Sequence, residues 1–216
     1  MKKLIVKFTA ILAIIAVPLV AYEEGVDYIR LQRSLPVERG TLTKVFSYAC
    51  PYCYKYDKSV IPKVMSKLDG VKFIPYHLKT KGELGNSVSE IFAVLIAIDN
   101  ENGIDLLSDE SKFKKAKFAI YKAYHDNGER WNNGKNKDDF LNQILSVVGV
   151  STDEFEKRLK DFSVITMLSD WDNGYAVAQL QGVPALVVDG RYLINTQNIR
   201  SLDDLAKLIT KLQSHD

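Results

Sequence analysis

The chain has 216 residues, 46% of them hydrophobic and 26% charged, with a formal charge of +2. This is an ordinary globular composition, which excludes collagen-like, low-complexity and wholly disordered chains, and the length suits one large domain or one domain carrying an insertion. A charge so near zero leaves no electrostatic footprint for nucleic acid, and two cysteines are too few for a disulfide-dense scaffold.

The chain begins MKKLIVKFTAILAIIAVPLVAY, with Lys2, Lys3 and Lys7 ahead of an apolar run from Phe8 to Val20. This is the pattern of a secretory signal peptide over residues 1–21, with Ala21 before the cut. A membrane anchor would need about 18 or more apolar residues, and Pro18 interrupts this run. Leu19 stands where a small residue is preferred, so the cleavage position is left open. Removing residues 1–21 removes three lysines and no acid, which takes the charge from +2 to −1. Export also places Cys50 and Cys53 where disulfides form and persist.

After a polar lead-in, residues 41–48 (TLTKVFSY) read as a strand, Cys50-Pro51-Tyr52-Cys53 follows, and residues 54–68 read as a helix that Pro62 kinks or divides. Residues 71–77 (VKFIPYH) form a second strand, and Pro75 places it at an edge or end. The middle turns helical. Ser87 and Glu90 make a capping box before residues 91–98. Phe113, Lys117, Ile120 and Tyr124 share one helix face. Residues 140–148 have helical spacing, and Ser151 with Glu154 caps another helix. Asp126-Asn127-Gly128 and Asn132-Asn133-Gly134 are turn signals. Residues 163–181 read as one long helix, weakened at Gly174. Residues 185–188 are a strand, Asp189-Gly190 a hairpin turn, residues 191–194 its partner strand, and Ser201 caps a closing helix over 201–213. The class is α/β, in the order of a thioredoxin fold with an inserted helical domain. Residues 22–80 and 171–216 are the two thioredoxin-like parts, and residues 81–170 are the insertion.

The Cys-x-x-Cys pair has three readings. Zinc needs about four ligands, and the chain offers only His77, His125 and His215 beside the cysteines. A structural disulfide closing so short a loop removes little chain entropy. A redox pair needs one accessible thiolate and one nearby thiol. The strand-to-helix junction supplies that arrangement: Cys50 at the helix N-terminus beside free N–H groups, Pro51 at the first helical position, and Cys53 one turn in and more shielded. Gly182-Val183-Pro184 precedes the last strand pair. Only about 5–6% of X-Pro bonds are cis, so its plain reading is a proline that starts a strand.

Phe46 to Tyr54 (FSYACPYCY), Gly182-Val183-Pro184-Ala185 and the helical stretch between them resemble the DsbA family of bacterial periplasmic disulfide oxidases. Lys44 to Tyr48, Cys53 to Lys58, Lys114 to Ala119 and Ala123 to Asp126 are similar to its DsbL branch. The resemblance implies a periplasmic, monomeric thiol:disulfide oxidoreductase that gives its Cys50–Cys53 disulfide to secreted proteins with free thiols, needing no cofactor beyond that disulfide and no metal. It implies that Pro184 is a cis-proline facing the cysteines, with Val183 presenting backbone to the client. It also implies reoxidation by a DsbB/DsbI-type membrane quinone reductase and a client such as an arylsulfate sulfotransferase.

Two departures bear on tuning. Tyr52 stands where the best-known members have histidine, so no imidazolium supports the Cys50 thiolate. Lys44 stands where many thioredoxin-like proteins bury an acid, and Pro75 falls where the best-known members offer a lysine. Lys44 is therefore expected to favour the thiolate, unless it points to solvent. Lys55 and Lys58 flank the motif as a local basic patch, while His77, His125, Trp131 and Trp171 are read as structural. The rival readings are a reductase or isomerase of the same fold, a binding module with a vestigial disulfide, and a metal-binding protein.

Overall fold

The computed structural model describes residues 21–214; the stretch read as a signal peptide, apart from Ala21, and His215 lie outside the described residues. Among these residues five short strands form one mixed sheet: β1 (Tyr28–Arg30), β2 (Thr41–Phe46), β3 (Lys72–His77), β4 (Ala185–Val188) and β5 (Tyr192–Ile194). Their spatial order is β1-β5-β4-β2-β3. The β2–β3 pair is parallel and the other pairs are antiparallel. All six residues of β2 are buried, as an interior strand covered on both faces requires. β3 takes the edge of the sheet, the position that Pro75 predicts for it. The β4–β5 hairpin turns at Asp189 and Gly190, both with positive φ (51° and 65°), as the Asp-Gly pair predicts.

Helices α1 (Pro51–Ser59) and α2 (Ile61–Met65) are the two halves of the predicted helix, parted at Val60, just ahead of Pro62. The helical block contains α3 (Gly85–Glu101), α4 (Lys112–Tyr121), a π-helical turn (Lys122–Asp126), the short segment α5 (Trp131–Gly134), whose residues have positive φ and make the left-handed turn that Asn132-Asn133-Gly134 signals, α6 (Lys137–Val148), α7 (Thr152–Arg158) and α8 (Phe162–Trp171). α9 (Gly174–Gln181) leads back to β4, and α10 (Leu202–Gln213) closes the chain. Ser151 and Ser201 cap α7 and α10 by accepting from the N–H groups of Glu154 and Asp204, as their boxes predict.

Three elements differ from the sequence reading. β1 lies in the stretch read as a polar lead-in; a three-residue strand is too short to show a period, and its place comes from pairing with β5. α3 starts at Gly85, ahead of the Ser87 box, because the Tyr48 hydroxyl accepts from the Leu84 N–H and so serves the helix entrance. Gly85 is needed there, since a Cβ would run into the Lys79 carbonyl oxygen. The long helix predicted over 163–181 is two helices, interrupted at Asp172 and Asn173. Gly174 then lets α9 approach the sheet closely, with Val45 Cγ1 3.2 Å from where a Cβ would stand.

α4 is held against α3 by a buried carboxylate. Asp99 accepts from the N–H groups of Lys112 and Phe113 at 3.0 Å each and from the Ser111 hydroxyl at 2.7 Å. Asp99→Ala leaves those donors unmatched in the core and is expected to lower stability by about 2 kcal/mol or more, read from urea unfolding. A loss below about 0.5 kcal/mol would show that α4 is held by packing alone.

Candidate redox site

β2 runs into α1 through Ser47, Tyr48 and Ala49, and Cys50 is the N-cap of α1. Its extended backbone (φ −93°, ψ 114°) aims the sulfur back at the helix entrance, where it accepts from the Cys53 N–H at 3.2 Å. Pro51 follows at the start of the helix, where a missing N–H leaves no gap in the ladder. Both cysteines are thiols; Cys50 is half-buried and Cys53 fully buried. Tyr52, between them, is 68% exposed and forms the rim of the site. Across from Cys50 the Val183–Pro184 bond is cis, and the Cys50 sulfur lies 3.4 Å from the Val183 carbonyl, to which it donates when protonated. Cys50, Pro51, Tyr52, Val183 and Pro184 thus share one rim, built from α1 and the loop between α9 and β4, with Cys53 buried behind it.

The two sulfurs differ sharply. The Cys50 thiol is drawn down from 9.0 to about 6, first by a hydrogen bond from the Cys53 thiol, then by the N–H groups of Cys53 and Tyr52 and the charge of Lys44, all against the opposing effect of burial. Burial pushes the Cys53 thiol far up, and its bond to Cys50 adds to that. One sulfur is an accessible thiolate and the other a shielded thiol.

Lys44 is wholly buried, so it does not point to solvent. Its Nζ donates to the Cys53 carbonyl at 3.0 Å and pairs with Asp57 Oδ2 at 2.7 Å. Asp57 lies one turn beyond Cys53 on α1. It also pairs through Oδ1 with Lys117 of α4 at 3.2 Å and accepts from the Tyr121 hydroxyl at 3.0 Å. Burial alone would raise the Asp57 carboxyl, but Lys117 and Lys44 hold it below its usual range. The sequence reading singled out neither Asp57 nor Lys117 for the site; the signals that could have found them are the spacing of Asp57 four residues after Cys53 and the place of Lys117 on the otherwise apolar face of α4.

The helical block also grips the loop before Cys50. The His77 Nε2 accepts from the Tyr48 N–H at 3.2 Å, which places its proton on Nδ1, facing the Ser89 hydroxyl at 2.7 Å. Burial drives this ring down to about 3, so it stays neutral. From the π-helical turn, His125 Nε2–H donates to the Tyr48 carbonyl at 2.8 Å, and Tyr54 donates to Asp126 at 2.9 Å. The two histidines read as structural therefore hold both backbone polar groups of one residue, Tyr48, in the loop before Cys50. Lys58 stacks over the Tyr54 ring at 3.8 Å, and Lys55 is exposed beside it.

Residues 41–209 match the family model of a DSBA-like thioredoxin domain. The chain is 49% identical over 211 residues to the thiol:disulfide interchange protein DsbL of Lelliottia amnigena, covering 96% of this chain and 95% of that protein. It is 26% identical over 212 residues to the thiol:disulfide interchange protein DsbA of Pectobacterium carotovorum, covering 96% of this chain and 94% of that protein. The crystal structure of DsbL from Salmonella enterica serovar Typhimurium superposes with a TM-score of 0.88 at 51% identity, covering 92% of this chain and all of that one.

Alkylation of the reduced protein by iodoacetamide should follow the Cys50 thiolate, with a midpoint near pH 6. Lys44→Met should move that midpoint up by a few tenths to about one pH unit, because it removes a cation that favours the anion. An unmoved midpoint would show that Lys44 serves packing only.

Proposed function

The chain belongs to the DSBA-like thioredoxin-domain family and is a thiol:disulfide oxidoreductase; from that premise we propose that it works as an oxidase, giving a Cys50–Cys53 disulfide to exported proteins. The observation that carries this direction is the contrast between the two sulfurs, with Cys50 drawn down to about 6 while Cys53 is pushed up. A stable Cys50 thiolate lowers the free energy of the reduced enzyme, which makes its disulfide the better oxidant.

The exchange follows from the geometry. A client thiolate attacks the half-buried Cys50 sulfur; a client–Cys50 bond forms, the Cys50–Cys53 bond breaks, and its electron pair goes to Cys53, which takes up a proton. A second client thiolate then attacks the client sulfur of the mixed disulfide. The client disulfide forms and Cys50 departs as a thiolate, a good leaving group because its pKa is low. The enzyme ends as a dithiol with two more electrons, and the client has lost two. Pro184 and the Val183 backbone border Cys50 where the client chain lies, and Tyr52 offers it an exposed ring.

Export by the leader over residues 1–21, a periplasmic location, a monomeric state, reoxidation by a DsbB/DsbI-type membrane quinone reductase, and an arylsulfate sulfotransferase as client complete the reading. Support comes from the motifs shared with the DsbL branch. Exposed Lys55, with Lys58 on the same helix, suits an acidic client surface. A reductase or isomerase of the same fold is the competing direction.

Equilibration with glutathione should give a reduction potential clearly above the roughly −270 mV of thioredoxin, shifted toward the roughly −120 mV of DsbA; a result near −270 mV would make the protein a reductase. Cys53→Ser expressed in the native host should accumulate a mixed disulfide through Cys50, and the trapped protein identifies the client. Raising salt from about 0.05 to 0.5 M should slow oxidation of that client several-fold by screening the lysines, and an unchanged rate would remove charge from client choice.

A further inference from the structure

The buried ions beneath the cysteines do not cancel. Lys44 and Lys117 are both buried, and both address the single carboxylate of Asp57, one through each oxygen. Tyr121 adds a neutral hydroxyl to the same carboxylate. With every ion charged, the cluster holds one positive charge more than it holds negative. Such an excess is costly in a low-dielectric interior unless something nearby supplies the missing anion.

Lys117 is no accidental burial. Its ammonium sits among the rings of Phe113 at 4.8 Å, Phe118 at 5.6 Å, and Phe46 and Phe73 at 5.9 Å each, so aromatic faces and Asp57 together stand in for lost water. Burial, and the like charge of Lys44, draw it down to about 8, while Asp57 works to raise it. A lysine at about 8 is still mainly an ammonium at neutral pH. Lys44, in turn, is the cation that favours the anionic form of both cysteines.

We propose that Lys117, carried by the helical block, is a positioning residue of the redox centre: by engaging one oxygen of Asp57 it leaves the charge of Lys44 only half neutralised, and the unbalanced charge is matched when Cys50 is a thiolate. This rests on the oxidase reading above and explains how its strength is set. The helical block then acts on the chemistry as well as on the shape of the site. Forming the disulfide removes the anion and leaves Lys44 and Lys117 facing one carboxylate, so the cluster favours giving the disulfide away.

The test uses charge arithmetic. Lys117→Met leaves Lys44 and Asp57 as a neutral pair; the equilibrium constant for oxidation of glutathione by the enzyme should fall about tenfold, equivalent to about 30 mV for two electrons, and the Cys50 midpoint should rise. Lys117→Arg should keep the parental values. Lys117→Met combined with Asp57→Asn restores one unbalanced cation and should return both quantities toward the parent, although it disturbs packing more than the single change. An unchanged constant in Lys117→Met, or a double variant no better than the single, overturns the proposal. The parent protein provides a test without mutation. By reciprocal linkage the Lys117 ammonium should titrate higher in the reduced enzyme than in the oxidised one, read by NMR of its side chain, and equal midpoints overturn the proposal. A parental potential near that of thioredoxin would defeat the oxidase reading while leaving the sign of the Lys117 effect to be judged on its own.

Discussion

A carboxylate taken out of water has to be met by donors or cations, and the whole site is arranged around how Asp57 is met. The residue sits on the first helix, one turn past the buried cysteine, and its partners come from two other places in the chain. Lys44 reaches it from the central strand. Lys117 and Tyr121 reach it from the fourth helix. Strand, redox helix and helical block therefore converge on one ion, and removing Asp57 itself would leave two buried cations unpaired, an effect worth several kcal/mol in comparable clusters. A second set of bonds follows the same route, since His125 and Asp126 of the π-helical turn hold the Tyr48 carbonyl and the Tyr54 hydroxyl. Local irregularities of this kind commonly accompany functional sites, and here the turn aims two polar side chains at the redox loop.

The division of labour between the cysteines has the same origin. Helix geometry puts Cys50 outside the first turn and Cys53 inside it, so one sulfur receives N–H groups and the other receives hydrocarbon. The N-cap position, the first-turn proline and the cis peptide opposite come from different parts of the chain, yet all act on the same few ångströms around Cys50.

Much of this was legible beforehand, for reasons that differ by residue. The redox motif, its junction and the Pro184 loop are local patterns of residue type, and local patterns survive in one dimension. Ser151, Ser201 and Asp189-Gly190 were readable because caps and tight turns are made by neighbours. The burial of Lys44 was open until the sheet order placed its strand between two others. Asp57 and Lys117 were not picked out for the site, although an acid on the face of Cys53 and a lysine on an apolar helix face are misfits; that they answer each other is a fact of packing across 60 residues of sequence. The first strand was missed because three residues carry no period, and the single long helix before the last hairpin was wrong because the break belongs to the close approach of Gly174 to the sheet.

The hydrogen bond between Cys50 and Val183 joins residues 133 positions apart. A ribosome makes a chain from its first residue onward, so the cysteine pair is complete and solvated long before the backbone that will roof it is assembled. The first strand waits still longer, since its partner is the last strand of the sheet. For that interval both thiols have neither the shelter nor the buried ions that distinguish them in the finished protein. They are an ordinary dithiol pair until then, and the cover that makes one accessible and the other shielded is complete only with the last quarter of the chain.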